Sequence, residues 1–194
     1  MKRMAAAAVD FKRYEVSKVE ALNLFANDKY KVELINELSE DAVITVYENG
    51  EYKIDFDDLD EKLSKVKLMI LCNPHNPIGK IWPESDLARI GNLCKKHDVI
   101  LISDEIHCDL TDPGVDYNPF VSDDNVIRCL SPSKSFNIAG FQSSVVHATN
   151  SELLEKIKTQ MHVDNSDACN VFATSAVMAA YNESSGWLDE LKKV

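Results

Sequence analysis

Val66-Lys-Leu-Met-Ile-Leu-Cys72, the stretch from Pro83 to His97, and Val99-Ile-Leu-Ile-Ser103 together decide the fold. The first is a continuous apolar run broken only by Lys67, the pattern of a strand buried on both faces. The second opens on a proline, a favoured first helical residue, and places Leu87, Ile90, Leu93 and Cys94 on one helical face. The third is again short and apolar. Strand, helix, strand in this order predicts a parallel crossover unit. Further along, 126–130 and 143–147 read as strands, and Thr149-Asn-Ser-Glu152 as a capping box opening a helix that carries Leu153, Leu154, Ile157 and Met161. Helices are expected at about 168–181 and from Trp187 onward. Upstream, Asp55, Asp57 and Asp58 favour a helix N-terminus ahead of Phe56, Leu59 and Leu63. Before them, Asp41-Ala-Val-Ile-Thr-Val-Tyr47 and Glu48-Asn-Gly-Glu51 suggest a β-hairpin or strand end. The expected class is α/β, a three-layer sandwich with a mostly parallel central sheet covered on both faces.

The 194 residues carry 21 Lys plus Arg against 32 Asp plus Glu, a formal charge of −11 with 45% hydrophobic residues. That balance repels phosphate backbones and anionic lipid, so neither nucleic acid nor a membrane surface is an expected partner. No run reaches the roughly 18 apolar residues of a membrane span. The apolar opening from Met4 to Val9 is too short for a signal peptide. A cytoplasmic protein is expected. Five cysteines without a Cys-x-x-Cys pair read as buried, reduced thiols rather than a metal or disulfide framework. The acids between Asp55 and Glu61 read as a solvated helical turn, and no metal site is expected.

Ligands of open α/β sheets bind beyond the carboxyl ends of parallel strands. Three segments sit there. Cys72-Asn-Pro-His-Asn-Pro-Ile-Gly79 contains two Asn-Pro pairs, which bias Asn73 and Asn76 away from helix and toward extended backbone. A fixed amide offers both a donor and an acceptor to a planar ligand. Ile102-Ser-Asp-Glu-Ile-His-Cys108 places Asp104, Glu105 and His107 after an apolar strand, where a carboxylate requires a positive or protonated partner. Leu130-Ser-Pro-Ser-Lys-Ser-Phe-Asn-Ile-Ala-Gly140 sets Lys134 among small hydroxyl residues. A lysine held near apolar surroundings loses proton affinity and can serve as an imine-forming amine and a base.

In this order and at this spacing the three segments resemble the large domain of the fold-type I pyridoxal-phosphate enzymes, the aminotransferase class I and II superfamily. Their wording is most similar to the cystathionine β-lyase (MalY/PatB-like) branch, and the likeness extends from about Glu48 to the C-terminus. The resemblance implies pyridoxal 5'-phosphate as cofactor. It assigns Lys134 as the lysine bonded to the cofactor, Asp104 as the carboxylate facing the pyridine nitrogen, and Asn76 as the amide on the phenolic oxygen. His107 stands near that oxygen, where many members have tyrosine, and Ser131 and Ser133 are implied phosphate ligands.

The implied activity is a carbon–sulfur β-lyase of the cystathionine or cysteine-S-conjugate type, which turns a small amino acid into pyruvate, ammonia and a thiol. A pyridoxal-phosphate aminotransferase, or a non-catalytic lyase-derived interaction protein, are the alternatives. A homodimer is implied. Against the family's length, 41–194 is expected to be a partial cofactor-binding large domain behind a poorly assigned, partly helical segment at 1–40, with the C-terminal small domain absent. The amphipathic pattern of Trp187-Leu-Asp-Glu-Leu-Lys-Lys-Val194 looks cut rather than finished. The family's glycine-containing phosphate loop and its substrate-carboxylate arginine have no evident counterpart. Arg89 and Arg128, the only arginines past residue 13, fall on a helix and in a strand.

Overall fold

The structure, a computed structural model, describes residues 3–7, 45–49, 51–121 and 123–193. The partly helical segment expected at 1–40 lies outside them except for Arg3–Ala7, which is a strand, β1, and not helical. β1 runs parallel to Val66–Cys72 (β4) and meets it from Arg3 opposite Val66 to Ala7 opposite Leu71. Hydrogen-bonding that edge outweighs the helix propensity of an alanine run.

Thr45–Glu48 (β2) and Glu51–Ile54 (β3) form the expected antiparallel hairpin. Asn49 sits at its turn with φ 53°, the left-handed conformation that an Asn-Gly turn uses. Residues 41–44 of the expected strand lie outside the described residues. Then follow Phe56–Leu63 (α1), β4, Glu84–Lys96 (α2), Ile100–Asp104 (β5), Val126–Leu130 (β6), Val145–Ala148 (β7), Ser151–Val163 (α3), Ala173–Glu183 (α4) and Ser185–Leu191 (α5).

The main sheet has the order β1-β4-β5-β6-β7, parallel through β6 and antiparallel only at β7. Leu59 and Leu63 of α1 and Leu87, Ile90 and Cys94 of α2 close one face over Met69, Leu71, Leu101 and Val126. Each of these side chains is no more than 2% exposed. Along β5 burial alternates: Leu101 and Ser103 are buried, while Ile100, Ile102 and Asp104 are half-buried toward the other face. α3, which follows β7, buries no residue fully.

The helix starts show where local chemistry governs. Asp55 caps α1, its Oδ1 accepting the N–H groups of Asp57 at 3.1 Å and Asp58 at 3.0 Å. Asp55→Ala is expected to cost about 1 kcal/mol, a fall of about 2–4 °C in melting temperature for a domain of this size. The cap of α3 is Asn150 rather than Thr149: its Oδ1 accepts from Leu153 N at 3.1 Å, and asparagine outranks threonine at this position. α4 begins at Ala173, later than the expected 168. Asn170 draws the Phe172 and Ala173 N–H groups onto its own carboxamide at 2.9 and 3.0 Å and holds the preceding residues in a turn.

All five cysteines are free thiols. Cys72 and Cys94 are buried and Cys108 and Cys129 half-buried, but Cys169 is exposed, against expectation, because the turn ahead of α4 lies outside the core. Among the described residues no helix is long and apolar enough to cross a membrane.

Parallel pairing brings the strand ends level. Cys72, Asp104 and Cys129 stand side by side in register at the carboxyl edge of β4, β5 and β6. The three segments singled out from the sequence all leave from that edge.

Candidate active site

After β4, Asn73 turns inward and is fully buried. Its Nδ2 donates to Asn118 O at 2.8 Å, its Oδ1 accepts from Trp82 N at 3.2 Å, and its own N–H donates to Asp104 O at 2.9 Å. The backbone beyond it is not extended, as the Asn-Pro pairs suggest, but folds into a turn. His75 N donates to Lys80 O at 2.7 Å and Gly79 N to His75 O at 2.8 Å. Gly79 makes this turn possible with φ 66°. Asn76 is therefore exposed at the tip of the turn. It faces a pocket of about 560 Å³ that is also lined by Lys80, His107, Thr111, Asp112 and Val115.

Asp104 is the last residue of β5 and half-buried. Its Oδ1 accepts the N–H of Ile106 at 3.3 Å. Burial pushes its pKa above the ordinary carboxylate value, and the charge of Glu105 adds to the rise; the Ile106 N–H and the charges of His107 and Lys134 oppose it. Burial likewise pushes His107 below the usual imidazole value, with Lys134 adding to the fall and Asp104 opposing it. The neutral imidazole is thereby favoured. Residues separated in sequence, Asp104, His107 and Lys134, are thus close enough to feel one another's charge.

The third segment leaves β6. Ser131, 6% exposed, donates from Oγ to Ser143 O at 2.7 Å and accepts from Ser133 N at 3.1 Å, with Ser133 Oγ at 2.8 Å. Its single proton is engaged within the protein. Ser133 is half-buried, and with Ser131's proton on Ser143 O its own hydroxyl is the donor in the 2.8 Å contact, from which it can turn. Lys134 is exposed rather than set in apolar surroundings, because the turn at 132–137 carries it past the sheet edge. The next residue, Ser135, is buried and donates to Asp109 Oδ2 at 3.4 Å, tying the lysine turn to the turn that follows His107. Nothing in the sequence marked Ser135 or Asp109.

A second omission has a sequence signal in hindsight. Arg128 lies inside an apolar strand, where a guanidinium needs an anion. It forks onto Glu105, Nε to Oε1 at 2.8 Å and Nη2 to Oε2 at 2.5 Å, and Glu105 is wholly buried. Among the described residues no group of His, Cys, Asp and Glu is arranged to hold a metal ion.

The family model "Aminotransferase class I and II" matches residues 36–193. Cystathionine beta-lyase PatB of Bacillus subtilis is 44% identical over 150 residues, covering 74% of this chain and 39% of PatB. Protein MalY of Escherichia coli is 34% identical over 130 residues, covering 65% of this chain and 33% of MalY. Among solved structures, the PLP-bound C-S lyase from Staphylococcus hominis superposes with a TM-score of 0.77 at 31% identity, covering 99% of this chain and 46% of that one. The chain therefore spans less than half the length of these relatives.

Proposed function

The chain belongs to the aminotransferase class I and II family, and from that premise we propose that it carries the pyridoxal 5'-phosphate site of a carbon–sulfur β-lyase. The substrate is a small amino acid with a thiolate leaving group at Cβ, and the products are pyruvate, ammonia and a thiol. Asp104 carries this conclusion. It is a half-buried carboxylate at the end of a parallel strand, raised in pKa by burial, and its side chain accepts one backbone N–H. Such a group is stabilised by a ligand that presents a proton to it. The PatB and Staphylococcus hominis proteins, both named as lyases, support β-elimination.

The donor set fits the cofactor. Asp104 would face the pyridine nitrogen and hold its proton, and Asn76 and the neutral imidazole of His107 would face the phenolic oxygen. Ser133 would donate to the phosphate. Ser131 reaches that phosphate only by releasing Ser143 O, so its first task is to hold the loop. Lys134 would bond to the cofactor's carbonyl carbon. When bound, the cofactor supplies an electron sink for the pair left at the substrate α-carbon. The Lys134 amine, once released, would take the α-proton, and its exposure on the turn leaves it free to swing between the two tasks. Residues 41–194 act in this reading as the cofactor-binding part of a homodimer in the cytoplasm.

An absorbance titration with pyridoxal phosphate tests this, followed by borohydride trapping and peptide mapping, with Lys134→Ala alongside. A band at about 420 nm, trapped on Lys134 and lost in the variant, is the expected result. Pyruvate and thiol release would then follow from a cysteine S-conjugate. No band, or label scattered over surface lysines, would overturn the cofactor assignment. Keto-acid-dependent amino transfer without thiol release would overturn the lyase assignment.

A further inference from the structure

Glu105 has no direct part in the chemistry above, yet it is the most completely buried charge at the sheet edge, with 0% of its side chain exposed. A buried ion pair is seldom worth more to stability than an apolar replacement of the same shape. What this pair does hold is geometry. The peptide joining Asp104 to Glu105 is gripped on both sides, Asn73 N donating to Asp104 O and Glu105 N to Cys129 O, each at 2.9 Å. From Glu105 the side chain runs to the fork of Arg128 on β6, two residues before Leu130 and the turn that carries Lys134.

The same carboxylate gathers the loop between β5 and β6. Phe120 N donates to Oε1 at 3.4 Å, and the Tyr117 phenol lies against Glu105, burial and that charge both pushing its pKa up. Tyr117 Oη in turn donates to Asn73 O at 3.2 Å, and Asn118 Nδ2 to Trp82 O at 3.3 Å. The Asn-Pro segment, the Asp104 edge and the strand feeding Lys134 thus meet at one buried carboxylate. Neither Glu105 nor Arg128 lines the pocket that holds Asn76 and His107.

We infer that the Glu105–Arg128 pair is a positioning element that locks the three site-bearing segments into one geometry, so that its removal weakens cofactor binding without deleting any group that touches the cofactor. The cofactor half of this statement rests on the function proposed above. Arg128 also cancels a negative charge placed next to Asp104, whose protonation that charge favours.

The test compares the wild-type chain with the double variant Glu105→Gln/Arg128→Gln and with Arg128→Lys, which keeps the charge but not the fork. Three quantities are read: the melting temperature without cofactor, the pyridoxal phosphate concentration giving half the 420 nm band, and amide exchange at Asn73, Glu105 and Ile106. Removing both charges together leaves no orphaned ion, so the double variant is expected to melt close to wild type. Its half-saturation concentration should nonetheless rise by about tenfold or more, and exchange at the three amides should quicken by about as much. Arg128→Lys should move both readouts in the same direction. A double variant that binds and exchanges like wild type would reduce the pair to a structural role and overturn the inference. If the double variant does not fold, the same two readouts on Arg128→Lys decide. If wild type itself shows no band, the proposed function fails, and the exchange rates alone decide whether the pair positions these segments.

Discussion

Asp104→Asn is expected, on the function proposed above, to lower kcat for β-elimination by about 10²–10³-fold, the scale for removing one preorganised group aimed at developing charge, while making the cofactor-free chain more resistant to heat. Both effects come from the same carboxylate. In the site proposed above an asparagine would not hold a proton on the ring nitrogen, so the ring would withdraw electrons from the α-carbon less strongly. In the empty site the carboxylate is a liability, because burial raises its pKa above the unfolded value. Above the unfolded pKa the ionised form then costs the folded state free energy, and stability falls as pH rises through the folded-state pKa. Asparagine removes that cost. Its stabilising effect should therefore be present at pH values above the folded-state pKa and vanish in acid, where wild-type Asp104 is already protonated. Melting curves across pH, paired with pyruvate release at saturating cofactor, read both halves. An Asp104→Asn chain with wild-type kcat would remove Asp104 from the chemistry, and one that melts lower at neutral pH would contradict the burial argument.

How far the sequence alone reaches can be judged from particular residues. β4 and α2 were legible because their patterns are unambiguous: β4 is apolar at nearly every position, and α2 repeats its apolar residues at helical spacing. The hairpin was legible through Asn49, since few other residues accept its backbone conformation. β1 was not, because its alanines favour helix in isolation and only the edge of β4 draws them into a strand. The same division runs through the site. Asp104 and His107 could be singled out by standing just past a strand. The pairing of Glu105 with Arg128, 23 residues further on, depends on the register of β5 against β6, as does the placement of Tyr117 and Asn118 beneath Asn73. The engagement of Ser131 with Ser143 likewise follows from the antiparallel return of β7 beside β6.

Trp82 is where packing and site geometry meet, and replacing it should produce the largest loss of stability in the chain. The indole is 1% exposed in the core beneath α2, and its Nε1 donates to Cys72 O at 3.1 Å. Its ring lies 5.7 Å from that of His75, tilted by 50°. Its backbone meets the site network twice, N donating to Asn73 Oδ1 and O accepting from Asn118 Nδ2. Truncation to alanine removes a large buried ring that the surroundings cannot refill, a cost of about 3–5 kcal/mol. The carbonyl of Cys72 also loses its indole donor, a loss of about 1–3 kcal/mol that Trp82→Phe shares together with a smaller part of the ring volume. For a domain of this size the alanine variant should melt roughly 6–20 °C lower. The two variants also separate fold from site. Trp82→Phe keeps an aromatic ring in the core behind His75, and the backbone bonds of residue 82 survive in either variant, so the phenylalanine variant should bind pyridoxal phosphate nearly as wild type does. Trp82→Ala frees the turn that carries Asn76, so its cofactor affinity should fall even below its melting temperature. Equal affinity in the two variants, measured where both are folded, would mean that the Asn76 turn is held by its own hydrogen bonds from His75 to Lys80 and not by the indole behind it.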